Sequence, residues 1–326
     1  MVTVPPAQPE GERLPVAGPE AGWRILHHGV TGPHKARCQD YAEGRTLVVD
    51  DGPRSTQVLL LAAADGHGAS PHSRSHHGAR FAVEVFLGLA GEFAERAVRG
   101  QSLPRLRAEA QQRMPHDIVR AWEERCAEHL REHPLDTPPP AADEPPKRRD
   151  LLPYGTTLVG AVLTPGLVAA WQLGDGELTL VGQDTGGPLL PLAPVHPELG
   201  DETDSLCSRD APMLMRVHWA PLARSARPPG LLMLSTDGLS KSFVDRAGFE
   251  EFARGFYTRL ERTGLSAVQD DLPQWLARAA GYSGDDTTLV AAWYDRGNRK
   301  GRGVAEPAAE DSVYEAERPA LPEDSE

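Results

Sequence analysis

The chain has 326 residues, long enough for one large domain or two ordinary ones with well-buried cores. Its 47 acidic against 34 basic residues leave a net charge of −13, which argues against non-specific binding to nucleic acid or anionic membranes and suits divalent cations. Three cysteines without CxxC spacing argue against a disulfide framework or a thiolate zinc site and fit a reducing cytoplasm, and no apolar run approaches the ~20 residues of a membrane span.

Residues 1–20 are rich in Pro, Gly and Glu without a period, so a disordered tail is expected there, with no apolar stretch to serve as a signal peptide. Residues 23–30 read as a short strand ended by the turn signal Thr31-Gly32-Pro33, and residues 46–49 as a second. The run 58–64, VLLLAAA, is apolar throughout and stops at Asp65-Gly66-His67-Gly68. Such a run bounded by a glycine turn predicts a strand buried on both faces, with a carboxylate at its mouth. Taken alone, Asp-Gly there is equally well an ordinary turn. After the polar ASPHSRS loop, Ala79, Ala82, Val83, Phe86 and Ala90 share one face of a helix. A further helical region is expected over 103–130, with Leu106, Met114, Ile118, Val119 and Trp122 in the core and Pro115 as a kink or break.

Residues 132–150, EHPLDTPPPAADEPPKRRD, read as a Pro-rich surface insert within one domain, because the strands after it need a partner sheet and the helices before it need a sheet to cover. GTTLVGAVL, LVAAWQL and ELTLVGQ follow, joined at Thr164-Pro165-Gly166 and Gly174-Asp175-Gly176; connections this short predict antiparallel hairpins. Residues 213–219 read as another strand. The run 230–236 repeats the earlier pattern, ending in Asp237-Gly238. Helices are expected over 247–262 and 266–280, and a last strand follows Asp285-Asp286 to Tyr294. Residues 296–326, first basic and then acidic, have no core-forming pattern and read as a second disordered tail. The order of strands and helices over 21–295 predicts an α+β fold in which helices cover antiparallel sheet.

Asp40, Asp65, Asp237 and the pair Asp285/Asp286 all fall at strand boundaries. Were these carboxylates to converge, repulsion would raise their pKa values or demand a cation. Oxygen ligands without thiolate favour Mg²⁺ or Mn²⁺ over zinc. His72, His76 and His77, close to His67, match no standard zinc spacing and read as a polar loop and helix start. Cys126 and Cys207 sit in no activating motif, and Trp171 and Trp293 lie in strand-like runs as core residues. Thr156 and Thr157 are expected to serve strand packing and backbone bonding.

These residues carry a resemblance. The ordered motifs QDY (39–41), ADGHG (64–68), YGTTL (154–158), LGDGEL (173–178), STDGLS (235–240) and GDDTTLV (284–290) resemble the metal-dependent type 2C serine/threonine protein phosphatases, in particular a bacterial branch of that family. The resemblance runs from Gly22 to Tyr294. It implies a four-layer α-β-β-α sandwich of two antiparallel sheets, with two Mg²⁺ or Mn²⁺ ions in a cleft at one edge. The implied reaction is hydrolysis of phosphoserine and phosphothreonine on proteins by direct attack of a water bridging the two ions. By the motif match, Asp65 bridges the ions, the Gly66 carbonyl ligates one of them, and Asp237 and Asp285 complete the other. Asp40 orients the water, with Gln39 beside it, and His67 is the general acid.

Departures from the family pattern also matter. Lys35 stands where a phosphate-binding Arg is usual, and Arg37 is close enough in sequence to substitute. Lys241 stands where an Asp linked to a third ion is common, while Asp175 keeps the other third-ion position; Asp286 is a further accessory candidate. A two-ion centre with a weak or absent third site is therefore expected. The implied partner is a phosphoprotein made by a serine/threonine kinase in the cytoplasm, with no nucleic-acid or membrane role. A catalytically weak regulatory module and a small-metabolite phosphohydrolase are the alternatives, the first left open by Lys35 and Lys241.

Overall fold

The structure is a computed structural model that describes residues 21–52, 54–135, 148–182, 187–192, 204–222 and 229–297. The expected tails at 1–20 and 298–326, and residues 136–147 of the expected insert, lie outside the described residues. Gly22–Asp295 forms one unit. In chain order its strands are β1 (Gly22–Val30), β2 (Tyr41–Asp51), β3 (Arg54–Ala64), β4 (Leu158–Thr164), β5 (Leu167–Leu173), β6 (Glu177–Val181), β7 (Pro188–Leu189), β8 (Arg216–Pro221), β9 (Leu231–Ser235) and β10 (Thr287–Asp295). Its helices are α1 (Ser75–Val98), α2 (Leu103–Ala108), α3 (Met114–Glu132), α4 (Ala211–Leu214), α5 (Asp237–Ser240), α6 (Arg246–Thr263) and α7 (Leu265–Ser283).

Alternation along the central strands explains the layers. In β3, Leu59, Leu61 and Ala63 enter one core while Val58, Leu60, Ala62 and Ala64 enter another, the period-two pattern of a strand covered on both sides. The odd set meets Val290 and Ala292 of β10 between two sheets. The even set packs under Phe86 of α1 and Trp122 of α3. On the far side, Leu289, Ala291 and Trp293 of β10 pack under Phe256 of α6 and Leu276 of α7. Two antiparallel sheets, β1-β10-β9-β6-β7 and β2-β3-β4-β5-β8, thus lie between two helical layers, as expected. No helix among the described residues is long and apolar enough to cross a membrane.

Three local expectations need correction. The second strand is eleven residues, Tyr41–Asp51, and not the short run 46–49. It pairs with β3 along its whole length but is an edge strand with mostly half-exposed side chains, so no apolar run marks it. The turn at 174–176 does not close a hairpin. Gly174, at φ +93°, turns the chain out of one sheet, and β6 pairs with β9 in the other; only the turn at 164–166 joins paired neighbours, β4 and β5. Residues 211–214 are a helical turn opened by Pro212, so the strand expected from 213 begins at Arg216. The break expected at Pro115 falls just before it: a π-helical segment, Glu109–Arg113, separates α2 from α3, and Pro115 lies in the first turn of α3. The Ala110 carbonyl in that segment accepts from Trp171 Nε1 at 2.8 Å.

Leu61 is fully buried between the sheets. Leu61→Ala is expected to cost about 2–5 kcal/mol by opening a cavity there. Urea denaturation should show the midpoint falling with the slope unchanged.

Candidate metal centre

Asp65 follows the end of β3, Asp237 follows β9 after one residue, and Asp285 stands two residues before β10. Strands held on both faces give these side chains rigid mounts. The backbone of Asp65 is fastened three times: its N–H donates to Thr157 Oγ1 at 3.0 Å, and its carbonyl accepts from Thr156 Oγ1 at 2.7 Å and Thr157 N at 2.9 Å. One carboxylate oxygen from each of Asp65, Asp237 and Asp285 lies within 4.8 Å of the others. At that spacing each pair of full charges repels by about 3–4 kcal/mol at an effective dielectric of about 20, before any cation is counted.

The protonation balance shows this strain. Burial, then the charges of Asp40, Asp237 and Asp285, hold the Asp65 carboxyl well above the usual range. Asp40 accepts from Thr236 Oγ1 at 2.7 Å, yet burial, with Asp286 adding, pushes its carboxyl up to about 7. Asp40 Oδ1 and Asp237 Oδ1 are out of solvent and have no hydrogen-bond partner. Orphaned anionic oxygens are costly to bury, and here they adjoin three convergent carboxylates. An all-oxygen donor set of this kind fits hard divalent cations such as Mg²⁺ and Mn²⁺. It is the only group of three or more ligand side chains so placed among the described residues.

The remaining candidates fall into distinct places. Asp286 lies outside the three-carboxylate group. It is 1% exposed, and its carboxylate accepts from Gly32 N at 2.8 Å, Gln39 N at 2.7 Å and Lys35 Nζ at 3.2 Å. It thereby fastens the loop between β1 and β2. Lys35 Nζ also pairs with Asp285, and these two ion pairs outweigh burial to hold the ammonium above its usual pKa. Gln39 Nε2 donates to the His67 carbonyl at 3.1 Å and Ser75 Oγ at 2.8 Å. Gly66 has no room for a side chain, since a Cβ there would lie 2.6 Å from the Gln39 carbonyl oxygen. The His67 ring packs 4.9 Å from that of His72, and burial, then His72, bring its pKa down to about 4. Arg37 is exposed and hydrogen-bonds His76 Nε2 at 2.6 Å, not the carboxylates. Asp175, at the corner between β5 and β6, lies 3.6 Å from Lys241 Nζ, which also pairs with Asp237.

Two functional residues escaped the sequence reading. Thr236 Oγ1 holds Asp40 while accepting from Thr288 N at 3.0 Å, so a threonine just after β9 and one in β10 fix a carboxylate from the distant β1–β2 loop. A Thr directly before Asp237 and a Thr-Thr after Asp286 were the available signal. Asp40 and Thr288 also line a cavity of about 320 Å³, with His27, His28, Cys38 and Tyr41.

A family model described as Protein phosphatase 2C matches residues 34–277. The chain belongs to the protein phosphatase 2C family. The fold and the phosphatase activity expected from the six motifs stand on that membership. Among solved structures, the catalytic domain of the serine/threonine protein phosphatase PstP in complex with two manganese ions superposes with a TM-score of 0.50 at 15% identity, covering 83% of this chain and 98% of that one. The S. agalactiae serine/threonine phosphatase gives 0.50 at 14%, covering 84% and 100%. A bacterial serine phosphatase carrying a point mutation gives 0.50 at 14%, covering 84% and 99%. At these identities the likeness is one of fold. No curated protein matches this phosphatase.

The raised carboxyls make cation binding pH-dependent. A raised pKa means the cation-free fold holds its proton more tightly than the unfolded chain, a contribution lost as pH rises through about 7 for Asp40. A cation binds the ionised form and gains over the same window. The rise in Tm on adding Mn²⁺ is therefore expected to shrink as pH falls from about 7 toward 5, read by thermal unfolding with Mn²⁺ and with chelator.

Proposed function

We propose that the chain hydrolyses phosphoserine and phosphothreonine in proteins, with the cleft at the ends of β3, β9 and β10 as its active site. The convergence of Asp65, Asp237 and Asp285 within 4.8 Å carries this reading, with the orphaned oxygens of Asp40 and Asp237 supporting it. Two Mg²⁺ or Mn²⁺ ions would share Asp65, one taking the Gly66 carbonyl and the other Asp237 and Asp285. When bound, such a pair supplies Lewis acidity and a water reactive at neutral pH.

The chain's own residues do the rest. Asp40, held by Thr236, orients the attacking water and takes its proton. Lys35, tethered between Asp285 and Asp286, presents one positive charge to the substrate phosphate. The water oxygen bonds to phosphorus as the ester P–O bond breaks, and His67 gives a proton to the departing seryl or threonyl oxygen. Burial favours the neutral His67 ring, so to act as the acid it would draw a proton from solvent as the dianionic phosphate, whose charge favours the imidazolium, enters. Arg37, engaged with His76, is left out of the phosphate site.

The domain organisation follows the same reading: one catalytic domain over 21–295, a surface insert within 132–150, and tails outside it. Three cysteines without CxxC spacing support a cytoplasmic location, a net charge of −13 supports the absence of a nucleic-acid or membrane role, and a phosphoprotein substrate would be the product of a serine/threonine kinase.

Side-by-side assays of p-nitrophenyl phosphate, phosphopeptides and nucleotides with Mn²⁺ test the proposal. Phosphopeptides should be preferred, and Asp65→Asn should lower turnover by about a hundredfold or more, about 2.7 kcal/mol of barrier. No Mn²⁺-dependent turnover ends the enzyme reading; a preference for nucleotides ends the protein-substrate reading. For His67→Ala, Mn²⁺ binding should persist while phosphoserine hydrolysis slows by about a hundredfold and p-nitrophenyl phosphate far less. Equal slowing on both substrates would remove His67 from the acid role.

A further inference from the structure

Lys241 caps the one-turn helix α5, and its N–H donates to the Asp237 carbonyl at 2.8 Å. The i, i+4 spacing sets its side chain over the Asp237 carboxylate. Its ammonium bonds Asp237 Oδ2 and lies 3.6 Å from Asp175 Oδ2, so one charge joins carboxylates from two separate corners of the fold. Asp237 is almost fully buried, and its two oxygens divide their roles: Oδ2 faces the lysine, while Oδ1 is out of solvent and has no partner. Burial works against the Lys241 charge, but Asp237 and then Asp175 outweigh it and raise its pKa.

We propose that Lys241 is a built-in cation that occupies the space between Asp175 and Asp237, so that this cleft loads two divalent ions and excludes a third. The inference rests on the reading of Asp237 as a metal ligand and extends it to one oxygen: Oδ1 is left for the ion because Oδ2 is taken by the lysine. An ammonium offsets one of the two carboxylate charges without the coordination sphere of a divalent ion, so it brings no water to be activated. Asp175 is then a positioning residue that holds Lys241 over Asp237, not a ligand.

Calorimetric titration of the full chain with Mn²⁺, with bound ions counted by electron paramagnetic resonance, tests this. The wild type should bind two ions, and Asp175→Asn should leave that count unchanged. Lys241→Asp should admit a third ion, weaker than the others by about tenfold or more, which adding Asp175→Asn removes. Lys241→Ala, which introduces no new charge, should likewise admit a weak extra ion and covers the case in which Lys241→Asp does not fold, as judged by circular dichroism. Lys241→Arg keeps a fixed positive charge in the gap and should still exclude the third ion, whichever carboxylate it favours. A wild type that already binds a third ion lost with Asp175→Asn overturns the inference alone. So does a folded Lys241→Ala or Lys241→Asp chain that still binds only two with unchanged affinity. A wild type that binds no Mn²⁺ sinks the metal-centre reading and the inference together.

Discussion

Mutual repulsion among carboxylates is the constraint to which the cleft side of this fold answers. Asp65, Asp237 and Asp285 stand within 4.8 Å of one another, an arrangement that a flexible loop would relax by moving apart. Here the repulsion cannot be relaxed. The chain enters or leaves each site through a strand covered by core on both faces, and Asp65 is further locked by two threonines of the neighbouring segment. The three cores therefore do more than stabilise the sandwich. They turn packing into stored electrostatic demand at the ends of the strands.

Charge near the cleft is arranged in two tiers. Asp65, Asp237 and Asp285 face one another, whereas the adjacent Asp286 lies outside that group and accepts from Gly32, Gln39 and Lys35. One Asp-Asp dipeptide thus supplies both a cluster carboxylate and an anchor for the loop that carries Lys35, Gln39 and Asp40, and the Lys35 ammonium pairs with both of its carboxylates. Asp40 in turn reaches across to Thr236, which is itself tied to β10 through Thr288. The β1–β2 loop has little apolar anchorage of its own. Its position is fixed by polar bonds to a buried carboxylate and a buried hydroxyl, which are strong because they are out of water.

How legible each part was in the sequence follows from burial. The run ending at Asp65 was readable because a strand covered on both faces leaves no polar residue to interrupt it. The edge strand β2 was mostly missed because half-exposed side chains spread its hydrophobicity thinly and its definition comes from backbone pairing, which composition does not record. The corner at Gly174 looked like a hairpin because chain length alone does not say which sheet the next strand joins; that is decided by β9 across the sandwich. In the cleft, motif order placed the acidic residues correctly on neighbouring strand ends. Sequence proximity misplaced Arg37, which side-chain geometry sends to His76. The threonines that hold Asp40 were hidden because a hydroxyl's partner lies nearly two hundred residues away in the chain.

The two lysines that depart from the family pattern obey one physical rule. Lys35 sits between Asp285 and Asp286, and Lys241 between Asp237 and Asp175. In each case a compact ammonium bridges two carboxylates mounted on different backbone positions. An arginine fork is shaped to grip one carboxylate or phosphate with two parallel bonds, so in either gap it would favour one partner over the other. A lysine has no such preference and carries three donors on a single nitrogen, which suits a gap between two anions. The same property weakens its grip on a phosphate, where two parallel bonds count most. At position 35 a single ammonium is thus shared between two carboxylates beside the acidic cluster, and at position 241 another is shared between Asp237 and the Asp175 corner.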